Sequence, residues 1–318
     1  MRITAAQGRY RTRTIRYSRN PEWPLILFTF FLCVSGGVLG VQGLLCVLGK
    51  GKKMQLPSLV VSLAALAVGG IAVFMHLQHW ERIFNGFGHI TSGITLEFIG
   101  CIVFFVVLVL YFLFMRRSED GMAPKWCGVL AIVAGLGLPA LTGDSYLMHA
   151  LPSWDTPLLI VYYLVNAVFM GGLASLIIAG VVGDDDASGL VTKAALAGGV
   201  LQLVVVLAYA LIINGSAGLY SAEIQYYFDP TLPDVAMVDR AGIVGSIIAG
   251  DQAVLFWLGA IAVGVVVPAA LAWLALRQKA AGTKLAGYAG VAVACCAVGG
   301  IVWRVILYVV AISVFALY

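Results

Sequence analysis

The sequence predicts an all-α fold, a polytopic transmembrane bundle of about eight spanning helices. Of the 318 residues, 62% are hydrophobic and 11% charged, against about half and one quarter in a soluble globular domain. Lipid is therefore the solvent that suits this surface. Apolar runs of spanning length recur near 23–48, 56–77, 91–115, 124–147, 157–182, 190–213, 251–276 and 283–314, each close to the roughly 20 residues a helix needs to cross a bilayer. Lipid offers no partner to an open backbone, so these runs must be helices. The short alternating segments of a transmembrane β-barrel are absent.

Residues 1–21 read as a basic tail, with six arginines and no acid before residue 21. The run from Trp23 follows without a small-residue cleavage site, so it reads as a retained first helix. Residues 22–318 are expected to form one eight-helix transmembrane domain. An even number of spans puts both termini on one side, together with the loops at 78–90, 148–156 and 214–250. The opposite loops and helix ends carry Lys50, Lys52, Lys53, Arg116, Arg117, Lys125, Lys193, Arg277, Lys279 and Lys284. The positive-inside rule places that basic side in the cytoplasm and both termini outside, although the arginine tail counts the other way. The expected location is the cytoplasmic membrane of a bacterium or archaeon. Small-residue steps such as Gly36-Gly37 and Gly171-Gly172 predict close helix packing. The six cysteines all lie in or beside apolar runs without a C-x-x-C pair, which gives no zinc or iron–sulfur ligand set and reads as small buried hydrophobes.

Polar residues that interrupt the apolar runs collect toward the terminus-bearing side. All four histidines lie there: His76, His79, His89 and His149. The second run ends Met75-His76-Leu77-Gln78-His79-Trp80-Glu81-Arg82-Ile83-Phe84-Asn85. His76 stands where an imidazole, titrating near neutral pH, suits taking a proton from a bound hydroxyl; the alternative is an interfacial amphipathic turn. Glu97 sits inside the third run, one to two turns from the same face, where a carboxylate is costly and by default functional. Arg304 is a lone guanidinium in the last run, expected within reach of Glu97 and His76, to pair with the glutamate or to hold a carbonyl oxygen. Leu151-Pro152-Ser153-Trp154-Asp155-Thr156-Pro157 reads as a loop into the fifth helix, with proline in its first turn and Asp or Thr as cap. Trp154 reads either as an interfacial anchor or as a stacking group. The loop 214–250, with Tyr220, Tyr226, Tyr227 and four acids, reads as a docking surface or as a solvated loop. No histidine lies deep in a helix, so no haem is expected. No metal site or nucleic-acid partner is indicated either.

Taken in order, five of these clusters resemble the DMSO reductase anchor subunit (DmsC) family. They are Glu22-Trp23-Pro24-Leu25, Met75-His76-Leu77 followed by Arg82-x-x-Asn85, Glu97, Trp154-Asp155-Thr156-Pro157-Leu158, and Arg304 with Tyr308. The sequence departs from the family pattern at Gln78, where the family has glycine, at Asp155, where it has asparagine, and in the residues just before Glu97. The resemblance implies a haem-free respiratory anchor that binds and oxidises menaquinol, giving menaquinone, and sits in the bilayer beside a ferredoxin-like iron–sulfur subunit and a molybdopterin catalytic subunit. The iron–sulfur clusters and the molybdopterin would then belong to those partners. It implies His76 and Glu97 as catalytic residues, with Arg82, Asn85, Trp154, Asp155, Arg304 and Tyr308 completing the quinol site. The reading from another class is a secondary transporter or ion channel with Glu97 and Arg304 as intramembrane charges. Against it, the charges lie near one face and no paired interrupted helices occur.

Overall fold

The computed structural model describes residues 21–77, 88–89, 91–220 and 239–314. Among these, eight helices are long and apolar enough to cross a membrane, and no strand occurs. They are α1 (Trp23–Val47), α2 (Gln55–His76), α3 (Gly93–Arg117), α4 (Lys125–Ser145), α5 (Leu158–Val182), α6 (Asp185–Gly215), α7 (Leu255–Arg277) and α8 (Gly282–Val309).

The differences from the expected bounds have local causes. α6 begins at Asp185 rather than near 190, because the Asp184 side chain accepts the Ala187 amide at 3.2 Å. Asp185 and Asp186 then sit in a first turn that favours negative charge. The turn before it needs only Gly183, in the left-handed region at φ 64°. α7 opens as a π-helix over Leu255–Val266 and tightens to an α-helix at Val267–Arg277. The described parts of the 214–250 loop are helical turns, Ser216–Tyr220, Arg240–Val244 and Ser246–Ala249.

α1 is the central helix, and lipid gives it no hydrophobic reason to associate, so close backbone approach does the work. Gly37 lies against Ala167 and Gly171 of α5, Gly36 against Gly135 and Pro139 of α4, and Gly43 against Gly128 of α4. At Gly37 an added Cβ would overlap the Ala167 carbonyl oxygen, which is backbone and cannot move aside. α3 lies at the periphery, packed on α4, with Ile102, Phe105, Val109 and Phe112 on its exposed face.

Hydrogen bonds sort the loops onto two ends. At the basic end Lys50 pairs with Asp186 at 3.2 Å, and the Lys53 amide donates to Asp184 at 3.0 Å. At the other end the α4–α5 loop is pinned to the end of α8. Ser153 Oγ donates to the Val310 carbonyl (3.0 Å), Trp154 Nε1 to the Leu307 carbonyl (3.0 Å), and the Val314 amide to the Ala150 carbonyl (3.0 Å). Tyr209 donates to the Ser153 carbonyl (2.9 Å) and Tyr220 to that of Ile312 (2.7 Å). The start of α1 meets the end of α2 at this face through Glu22 and His76.

Gly37→Ala is expected to destabilise the bundle by about 1–3 kcal/mol through overpacking, read as a lower melting temperature in detergent. Gly40→Ala, whose Cβ would meet nothing within 4 Å, is expected to leave that temperature unchanged or slightly higher.

Candidate functional site

The polar groups of α1, α5 and α8 converge on Arg304. It is 1% exposed, and its guanidinium is surrounded by neutral acceptors. Nε donates to Thr29 Oγ1 (3.1 Å). One terminal nitrogen donates to the Tyr162 hydroxyl and the Gly300 carbonyl, both at 3.0 Å. The other donates to Asn166 Oδ1 (3.1 Å), Cys33 Sγ (3.3 Å) and the Thr29 carbonyl (3.4 Å). Rings of Phe30, Tyr162 and Tyr163 lie 5.5–5.7 Å from its central carbon, adding cation–π attraction. Of the two roles open to it, pairing with Glu97 is not what holds this charge: neither Glu97 nor His76 belongs to its hydrogen-bonded shell. A guanidinium fixed by three helices is also poorly suited to move as a gating charge.

One edge of this shell meets a narrow pocket of about 10 Å³ lined by Tyr146, Trp154, Leu159, Tyr163, Arg304, Leu307 and Tyr308. Trp154 is buried and its N–H is held by Leu307, so the ring is a wall of the pocket rather than an interfacial anchor. It meets Tyr308 edge-on at 5.1 Å and Tyr146 at 5.5 Å. The pocket thus lies between α5, α8 and the α4–α5 loop.

Glu97 approaches from α3, beside Thr142 and Ser145 of α4, and within electrostatic range of Tyr146, Tyr163 and Tyr308. Its Oε1 is buried without a hydrogen-bond partner among the described residues, while the buried Tyr308 hydroxyl lies beside that of Tyr146. Unpaired buried polar atoms in a membrane protein are expensive and call for an occupant such as water or ligand.

His76 stands at the end of α2, its Nδ1 3.6 Å from Glu22 Oε2, with side chains 38% and 53% exposed. Asp155 faces away from the pocket lining and binds His149, Nδ1 to Oδ2 at 2.9 Å. Thr156 accepts the Leu158 amide at 3.4 Å at the entry to α5. Arg82, Asn85, His79, Tyr226 and Tyr227 lie outside the described residues. Among the described residues, no group of three or more His, Cys, Asp or Glu is placed to hold a metal ion.

Sequence reading named Glu22 only as part of a motif and overlooked Tyr146, Tyr163 and the Arg304 ligands Thr29, Tyr162 and Asn166. Asn166 carried a usable signal, being a polar side chain deep in an apolar run, the same criterion that selects Glu97. The tyrosines carried none, since they read equally well as interfacial aromatics.

Two outcomes follow. Arg304→Lys keeps the charge but cannot reach acceptors in three directions. It is expected to lower the melting temperature in detergent far more than Tyr162→Phe, which removes one hydrogen bond worth about 1–3 kcal/mol. At the surface, the Asp155 carboxylate holds the His149 imidazole above its ordinary value, through the hydrogen bond first and charge second. A raised value means that any stability from this pair is full below the unfolded value of about 6.5 and is lost as pH rises through the folded one. Asp155→Asn should bring the His149 titration back down, read by NMR of labelled imidazoles.

The DMSO reductase anchor subunit (DmsC) family model matches residues 18–225, which span α1 to α6 and include Glu22, His76, Glu97 and the pocket loop. No curated protein matches the chain. With eight helices fit to span a membrane and this match over more than half its length, the chain is a multi-pass membrane protein of the DMSO reductase anchor subunit family, and hence the membrane anchor of a DMSO reductase-type complex.

Proposed function

We propose that this anchor oxidises a quinol, menaquinol by family resemblance, and passes the electrons to an iron–sulfur subunit that serves a molybdopterin subunit. The observation that carries the reading is the aromatic pocket beside Arg304, with the Tyr308 hydroxyl in its wall and the buried, unpartnered Oε1 of Glu97 nearby. The space it encloses is about 10 Å³, enough for about one water. A ring-sized head group would seat there as the Trp154, Tyr146 and Tyr308 rings part, with its isoprenoid tail in lipid.

The chemistry follows from the wall. Trp154, Tyr146 and Tyr163 offer ring surfaces to a planar head group. The Tyr308 hydroxyl is placed to hold one head-group oxygen. Arg304 supplies a fixed positive potential that favours an oxygen as it loses its proton. Glu97 is the general base, its buried carboxylate having no competing partner on one oxygen. Two protons leave the quinol, and two electrons pass one at a time to the partner's iron–sulfur centre. The pocket and the partner then share the face that bears the α4–α5 loop, the Ser216–Tyr220 turn and the end of α8. By the distribution of lysine and arginine that face is extracytoplasmic.

Glu97→Gln is isosteric and keeps the packing. In the assembled complex it is expected to lower quinol-driven turnover by about 10²-fold or more, while dye-driven activity of the soluble subunits persists. Quinol turnover at the wild-type rate in this variant would contradict the proposal.

A further inference from the structure

The α7–α8 hairpin carries charge of one sign only. No aspartate or glutamate follows Asp251, while Arg277, Lys279 and Lys284 cluster at the turn that joins the two helices. All three are exposed, and none makes an ion pair among the described residues. Other cations at the basic end are already engaged by protein. Lys50 pairs with Asp186 at 3.2 Å, and Lys53 Nζ donates to the Gly183 carbonyl at 2.9 Å.

The turn is tight and gathers these charges. Lys279 (φ 48°) and Gly282 (φ 54°) both take the left-handed conformation. The Lys279 and Ala280 amides close back on the Leu276 and Ala275 carbonyls at 3.2 and 2.9 Å. Arg277 lies over the Trp273 ring, 5.3 Å from its centroid, and Lys284 over the Tyr288 ring at 6.0 Å. The Tyr288 hydroxyl donates to Gln278 Oε1 at 3.1 Å. That bond crosses the turn and ties the ring beneath Lys284 to the residue beside Arg277.

Below the charges the surface is that of a membrane span. Trp273 is 46% exposed near the end of α7, and Val266 and Val267 on α7 and Val291 and Val298 on α8 are exposed as well. An exposed tryptophan at a helix end belongs at headgroup level. Arg277, lying over that ring, stands at the same level rather than out in the aqueous phase. An occupant that meets both features is anionic at one end and apolar at the other. A soluble acidic protein would meet the cations and leave the apolar flank uncovered.

We propose that the α7–α8 hairpin is a binding site for an anionic phospholipid. Its phosphate sits on Arg277, Lys279 and Lys284, and its acyl chains lie along the exposed flank of α7 and α8. Each basic group beside a spanning helix adds roughly fivefold to the affinity for an acidic lipid surface, and aromatic stacking holds two of the three in place before the lipid arrives. The site is at the end of α8 opposite Arg304 and Tyr308, so it stands independently of the quinol reading.

The test uses the complete membrane complex, purified in neutral phosphatidylcholine micelles and titrated with phosphatidylglycerol, with bound lipid counted by native mass spectrometry. Wild type is compared with the triple variant Arg277→Gln, Lys279→Gln, Lys284→Gln. The control is Lys52→Gln, Arg116→Gln, Lys125→Gln, which removes the same charge from exposed residues elsewhere at the basic end. The α7–α8 variant is expected to bind phosphatidylglycerol about 10- to 100-fold more weakly, and the control within about twofold of wild type. Equal losses in the two triples would overturn the site and leave only general attraction by the basic end. A wild-type complex with no preference for phosphatidylglycerol over phosphatidylcholine would overturn it too. Inorganic phosphate that displaces the lipid at equal concentration would overturn a lipid as the occupant.

Discussion

A guanidinium inside a membrane bundle has to be satisfied wholly by protein, and Arg304 takes its acceptors from three helices at once. Thr29 and Cys33 come from α1, Tyr162 and Asn166 from α5, and the Gly300 carbonyl from α8 itself. An isolated charge at such depth is among the most costly things a bilayer protein can contain. Here it is offset by many neutral dipoles and three aromatic faces instead of one counter-ion. The arrangement fixes how α1, α5 and α8 sit relative to one another at the end where the pocket opens. It also leaves a net positive charge at the pocket wall, because no carboxylate belongs to the hydrogen-bonded shell.

The glycine contacts are the other half of the same constraint. Thr29 and Cys33 reach Arg304 because α1 is drawn against α5 at Gly37 and Gly171. A side chain there would push the helices apart and lengthen every bond from Arg304 to α1. The pinned α4–α5 loop follows from this frame, since Trp154 and Ser153 take their partners from the carbonyls of Leu307 and Val310 just beyond Arg304. Pocket, charge and loop are thus one unit, built where α1, α5 and α8 meet.

Much of this was legible in the residues themselves. The eight spans follow from run length, and Glu97, Trp154, Arg304 and Tyr308 stand out as polar or aromatic groups near one face. What the residues do not encode locally is which neighbour each one meets. Arg304 and Glu97 lie about equally near the same face, so pairing them is the simplest sequence expectation. The helix order decides otherwise, because α3 packs at the edge on α4 while α8 runs against α5 and α7. Asp155 carries the same lesson, since its neighbours in sequence read as a site loop, yet its side chain turns outward to His149. Glu22 was visible only as part of a motif, and its contact with His76 depends on α1 and α2 lying antiparallel.

The central claim is that a quinol head group sits between α5, α8 and the α4–α5 loop. The most direct measurement is photolabelling of the native complex in membranes with a photoactivatable quinone analogue, followed by mapping of the labelled peptides. The account predicts label within residues 146–163 and 303–308, competed away by excess quinone. Competed label confined to the basic-end loops, or to the lipid-facing side of α2 and α3, would contradict it.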